Sequence, residues 1–164
     1  MTHHFRATGQ LVVKLFLLLV ITLLLSNAAV AQTAKTSPGP GKDDGPVFHE
    51  YRGIQIGWLA DDVRKKLGDP AAKGDEQDYF VFGEKERAQI FYDKKTRMVT
   101  TISVDFNSDA PDALTPQQVF GADVESKADG SKHRLVRYPK AGFWVSYSRT
   151  AGDTPIITIT LQKM

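Results

Sequence analysis

The 164-residue chain contains no cysteine. Disulfides, thiolate nucleophiles, cysteine-ligated zinc and a lipid-bearing cysteine are therefore excluded, and stability must come from a packed core. Histidine is scarce as well: beyond residue 31 there are only His49 and His133, and neither has a ligand-type neighbour at helical or hairpin spacing. No metal site is expected from them, nor any other cofactor. No serine stands in a Gly-x-Ser-x-Gly elbow, since Ser103, Ser146 and Ser148 fall within strand-like alternation. Gly39 and Gly41 lie beside prolines rather than at a strand-to-helix junction, so no phosphate-cradling loop is present. Asp43 and Asp44 are adjacent instead of alternating, which does not build a calcium loop. The remaining acid pairs, Asp61–Asp62 and Glu84/Glu86, suit a helix start and a turn. The chain is accordingly expected not to be an enzyme.

Long apolar runs are also missing, with one exception near the N-terminus. Leu15 to Leu25 follows the bases Arg6 and Lys14 and precedes Ser26-Asn27-Ala28-Ala29-Val30-Ala31. As helix this run reaches only roughly 17 Å, against about 30 Å of bilayer hydrocarbon, and small residues follow where an anchor would carry positive charge. The pattern is that of a secretory signal peptide over residues 1–31, cleaved after Ala31, which makes the protein periplasmic or secreted. Cleavage removes two of the 21 bases and none of the 19 acids, so the mature chain is formally neutral. The basic isoelectric point then belongs largely to the signal, and nucleic acid is not expected as a partner. Residues 32–46, with three prolines and three glycines, form a flexible spacer.

The remainder, residues 47–164, has the composition of one ordinary globular domain: the whole chain is 41% hydrophobic and 24% charged. Leu59, Val63 and Leu67 at four-residue spacing, beside Ala60, predict a short amphipathic helix. Its acids lie in the first turn and its bases in the last, and Gly68 and Pro70 end it. Leu59 occupies the place where a capping Ser, Thr or Asp would stand. So short a helix must dock through its apolar side to persist. After a loop over 71–77, aromatic and β-branched residues mark strands at 78–82 and 88–92. Residues 98–106 alternate through Thr100, Ile102, Val104 and Phe106, as a strand with one buried face does. Thr115-Pro116-Gln117-Gln118 supplies an N-cap, a proline at the first helical position and a capping-box glutamine before a stop at Gly121. Three more strands follow at 133–138, 142–148 and 155–161.

Helix, strand, strand, strand thus occurs twice. Val63 matches Val119, Leu67-Gly68 matches Phe120-Gly121, and Val99-Thr-Thr-Ile-Ser-Val104 matches Ile156-Ile-Thr-Ile-Thr-Leu161. The expected fold is α+β and two-layered, a tandem repeat (about 53–106 and 114–161) of a short helix packed on a three-stranded antiparallel meander, the two sheets joining edge to edge. The pattern Gly57-x5-Val63-x3-Leu67-Gly68-x-Pro70, followed by an aromatic strand and the Tyr92-Asp93…Arg97-Met98-Val99 hairpin, resembles the outer-membrane assembly lipoproteins of the SmpA/OmlA (BamE) type. It is also similar to the β-lactamase inhibitor proteins, whose tandem halves have this build. The resemblance covers residues 53–106 and, more faintly, 114–161. The chain differs from the lipoproteins in lacking the lipidated cysteine and from the inhibitors in lacking their disulfides.

If the helices cover the face of Ile102, Val104, Ile157, Ile159 and Leu161, the opposite face presents Phe91, Thr101, Ser103, Trp144, Thr158 and Thr160. Large aromatics among small hydroxyls suit protein recognition. Phe91, Thr101, Trp144 and Thr158 are therefore the expected partner-binding residues of a non-catalytic envelope protein, with a protein as partner and no membrane span after signal cleavage. The other reading is a small periplasmic ligand-binding protein or hydrolase, its site lying between helix and sheet. Trp58, just before the helix, reads as a core or helix-entry residue rather than a ligand contact.

Overall fold

The computed structural model describes residues 45–164; the expected signal peptide, residues 1–31, and residues 32–44 of the expected spacer lie outside the described residues. Seven strands form one sheet: β1 (Ala72–Lys73), β2 (Gln77–Val81), β3 (Glu86–Tyr92), β4 (Val99–Asn107), β5 (Lys132–Tyr138), β6 (Phe143–Arg149) and β7 (Ile156–Lys163). The two described helices are α1 (Ala60–Leu67), before β1, and α2 (Pro116–Phe120), between β4 and β5. Across the sheet the order is β1-β2-β3-β4-β7-β6-β5, and every neighbouring pair is antiparallel. The two runs of hairpin-linked strands thus meet at β4 and β7.

Period-two patterning decides which face is buried. Phe80, Ala88, Ile90, Ile102, Val104, Val145, Tyr147, Ile159 and Leu161 form one core with Ala60 and Val63 of α1 and Val119 and Phe120 of α2. With helices of eight and five residues on a seven-stranded sheet, the domain is mostly β rather than an even pair of layers. The first run of strands also exceeds the expected three. Residues 72–73, expected in a loop, pair with Tyr79 and Asp78 as the edge strand β1.

The alternation expected through Thr100 breaks at a bulge, because the β3–β4 register shifts between Phe91 and Tyr92. Val99 is consequently buried while Thr100 is only half-buried, its hydroxyl donating to the Phe91 carbonyl at 3.3 Å. An extra residue in one strand flips the phase of everything before it.

The two helices begin in different ways. In α2 the anticipated capping box is complete: the Gln118 N–H donates to Thr115 Oγ1 (3.3 Å), and the Thr115 N–H donates to Gln118 Oε1 (2.8 Å). Gly121 closes the helix in the left-handed region at φ 69°. In α1 no side chain caps the start, and Leu59 is extended. The Ala60 N–H instead donates to the Arg97 carbonyl (3.0 Å), while Gly57 N–H to Val99 O and Val99 N–H to Trp58 O stitch the approach to β4. Leu59 therefore leaves the apolar stripe to which its spacing assigned it: it is 46% exposed, whereas Val63 is fully buried. Leu67 is half-buried against the core, and so is Trp58. Gly68 ends α1 with a positive φ of 88° but an extended ψ of −168°, outside the left-handed helical region that Gly121 occupies.

Candidate functional site

On the face away from the helices, the register arranges side chains in rows across the strands. One row reads Gln77, Phe91, Thr101, Gln162, Trp144, Arg137. The next reads Tyr79, Gln89, Ser103, Thr160, Ser146, Leu135, and the third Val81, Arg87, Asp105, Thr158, Ser148, His133. Thr101, Ser103, Thr158, Thr160, Ser146 and Ser148 make a floor of small hydroxyls over β4, β7 and β6. Phe91 and Tyr79 stand on one side of the Ser103–Thr160 pair, and Trp144, Arg137 and Leu135 on the other. Phe91 and Trp144 are three strand spacings apart, about 14 Å.

Three of the four expected partner-binding residues, Phe91, Thr101 and Trp144, therefore share one row, all half-buried. Thr158 is on the same face two rows away, where its hydroxyl donates to Asp105 Oδ1 at 2.6 Å. Ser103 and Thr160 share a hydrogen bond of 3.3 Å. Among the described residues neither Phe91 nor Trp144 belongs to the core or to the apolar side chains packed against it, and the register sets both on the face away from the helices. Sequence reasoning missed Tyr79, Leu135 and Arg137. The signal for the last two was the alternation of β5, where His133, Leu135 and Arg137 are exposed and share a phase.

Titratable groups gather elsewhere, around two structural contacts. Asp78, fully buried, accepts from Arg64, from Tyr92 Oη (2.8 Å) and from the Gly74 N–H (3.1 Å). Burial by itself pushes the Asp78 carboxyl up, but the hydrogen bonds from Arg64, Tyr92 and Gly74 outweigh it and hold the group below its ordinary range. Burial, and then the Asp78 carboxylate, push the Tyr92 hydroxyl up. A Cβ at Gly74 would stand 2.7 Å from the Gln77 carbonyl, so this loop closes over Asp78 only with glycine. In the second contact Glu86 accepts from Tyr51 Oη (2.7 Å) and from Arg52 Nε (3.1 Å), and the Arg52 guanidinium lies 4.2 Å from the Phe82 ring centroid. Burial opposes ionisation of Glu86, yet Arg52 and Tyr51 keep its carboxyl below the usual value. These clusters tie α1 to β2 and the 51–54 turn to β3.

A hollow of about 570 Å³ lies beside α1, lined by Gly57, Trp58, Leu59, Asp62, Lys65 and Lys66. It flanks the helix and is not enclosed between helix and sheet. Among the described residues no three His, Asp or Glu side chains converge as a metal site, and no helix is long and apolar enough to cross a membrane. The chain matches no protein-family model, no curated protein and no solved structure.

Proposed function

We propose that this is a non-catalytic, exported protein of the bacterial envelope that holds a partner protein on its open sheet face. The observation that carries the reading is the row Phe91–Thr101–Gln162–Trp144: two large rings on a helix-free face, neither of them engaged by the core, flanking short hydroxyl side chains. Aromatic anchors around a flat polar centre are what a protein interface uses for most of its binding energy. The signal segment supplies the route of export, with Gln32 as the mature N-terminus.

The tandem reading, and with it the likeness to the BamE-type lipoproteins and the β-lactamase inhibitor proteins, is supported by the register. Ser103 and Thr160 face one another at the centre of the β4–β7 seam and are 57 residues apart. Moving β3 and β4 along the chain by that same interval reproduces β6 and β7 in register: Ala88↔Val104 becomes Val145↔Leu161, and Ile90↔Ile102 becomes Tyr147↔Ile159. A duplicated unit joined about a two-fold seam has this relation. At equivalent helix-to-sheet positions one half has Arg64 on Asp78, while the other has Arg134 over the Phe120 ring at 5.1 Å.

The test is capture from the native envelope by the mature protein, with a photo-crosslinking residue placed at Thr101 or, as control, at Lys65. A crosslinked protein from Thr101 alone, lost in Trp144→Ala, is expected. Crosslinks from Lys65 only, or capture indifferent to Trp144, would overturn the reading.

A further inference from the structure

The two edges of the sheet are finished differently. Beyond β2, the two-residue β1 and the Gly74 loop blunt the edge. At the far side β5 has seven residues, and among the described residues only its beginning is covered, by a bridge between Ser126 and Lys132. There the Lys127 N–H donates to the Ser131 carbonyl (2.8 Å), so Ser131 directs its backbone away from β6. At the other end the Gly142 N–H donates to the Tyr138 carbonyl (3.0 Å), so Tyr138 directs its backbone toward β6. Both observations fix the same alternation. Lys132, Arg134, Val136 and Tyr138 exchange hydrogen bonds with β6, and Leu135 and Arg137 point their N–H and C=O groups outward. Among the described residues no backbone hydrogen bond from outside the sheet reaches these four groups.

We infer that the Leu135–Arg137 edge receives an extended, acidic segment of the partner protein as an eighth, antiparallel or parallel strand. This deepens the sheet-face reading and rests on it. Arg137 sits directly across from Trp144, so a strand added at β5 continues the aromatic row. The occupant follows from charge. β5 carries Lys132, Arg134 and Arg137 with His133 and no acid, and its neighbour β6 adds Arg149 and no acid. A second copy of this chain would set bases against bases across the new pair, which disfavours self-association. The same bases favour carboxylates placed opposite Arg137 and His133, and Leu135, 40% exposed, packs against the methylenes of the carboxylate side chain that lies opposite it. Main-chain hydrogen bonds then give affinity, and alternate side chains give selectivity.

Proline makes the test specific, because the Leu135 N–H is not used by the β5–β6 ladder. Leu135→Pro removes the outward donor from an edge position and leaves the sheet's own bonds intact. The probes are two capped octapeptides, one alternating valine with glutamate and one alternating valine with lysine, titrated into the isotope-labelled mature protein. The glutamate peptide is expected to shift and protect the amides of Leu135 and Arg137, and the lysine peptide is expected to leave them unmoved. Leu135→Pro should abolish the response, and Arg137→Glu should weaken the glutamate peptide at least tenfold while admitting the lysine one. The inference is overturned by equal binding of both peptides, by binding unaffected in Leu135→Pro, by β5 amides unmoved at the solubility limit, or by self-association that Leu135→Pro abolishes. Loss of this response with Trp144-dependent capture retained refutes the edge and leaves the face; loss of both refutes the face as well.

Discussion

Arg64 on α1 and Asp78 on β2 meet through two hydrogen bonds, Nε to Oδ2 at 2.8 Å and Nη2 to Oδ1 at 3.0 Å. The contact is two-pointed, with a separate guanidinium N–H on each carboxylate oxygen, the arrangement in which guanidinium and carboxylate bind most strongly. It also fastens a two-turn helix that has too few internal hydrogen bonds to persist alone. Removing one member leaves the other buried without its counter-charge. Arg64→Ala should therefore cost about 3–5 kcal/mol in urea unfolding. Arg64→Met combined with Asp78→Leu should cost clearly less than Arg64→Ala, since no buried charge is then stranded.

Acid should weaken the fold through the same groups. Asp78 and Glu86 both have folded-state carboxyls held below their ordinary values, so the unfolded chain takes up protons first as pH falls. The stabilisation they give is complete above the ordinary carboxyl range of about 4 and is lost as pH drops through their lower folded values. Urea midpoints measured from pH 7 to pH 2 should decline below about pH 5. Asp78→Asn should lower stability at pH 7 and make the decline shallower; an unchanged slope would remove Asp78 from this account.

The apolar anchor of α1 is Val63. It is fully buried, and losing two of its methyl groups in Val63→Ala should cost about 2 kcal/mol. Leu67 is only half-buried, so Leu67→Ala should cost about 1 kcal/mol, below the full range for a buried leucine. Lys65 is mostly exposed, pairs with Asp62 at 3.4 Å, and should be replaceable by alanine with little change. Thermal melts of the three variants would test the order.

Capping gives a paired prediction of opposite sign. Thr115→Ala breaks the box at α2 and should destabilise by about 1 kcal/mol. Leu59 already has the extended backbone of an N-cap, at φ −74° and ψ 144°, but no acceptor side chain. Leu59→Ser should therefore stabilise the protein by about 0.5 kcal/mol or more, read as a higher urea midpoint.

Local chemistry explains what could be read in advance. Thr115, Pro116, Gln118 and Gly121 specify α2 within seven successive positions, because caps depend only on nearby backbone. Strand alternation likewise sufficed to put Phe91, Thr101, Trp144 and Thr158 on one face. The features that escaped sequence reading depend on distant partners. Asp78 looked like the polar start of a strand, and only folding brings Arg64 and Tyr92 to it, each 14 residues away. The bulge opposite Phe91 and Tyr92 shifts Val99 into the core without any glycine to mark it. Leu59 left its stripe because the Arg97 carbonyl, supplied by a turn of the sheet, caps the helix in place of a side chain. The open edge at Leu135 and Arg137 required knowing that β5 is last in the sheet order.

The β4–β7 seam also bears on how the chain reaches this state. Hairpins β3–β4 and β6–β7 close over short turns, whereas Ser103 and Thr160 must find each other across 57 residues. Loop closure on that scale precedes any return from the contacts it allows, which slows folding relative to local pairing. The two runs of strands are therefore expected to form first and to zip along β4 and β7 last, so that substitutions at Val104 or Ile159 act mainly on the folding rate if the seam defines the barrier.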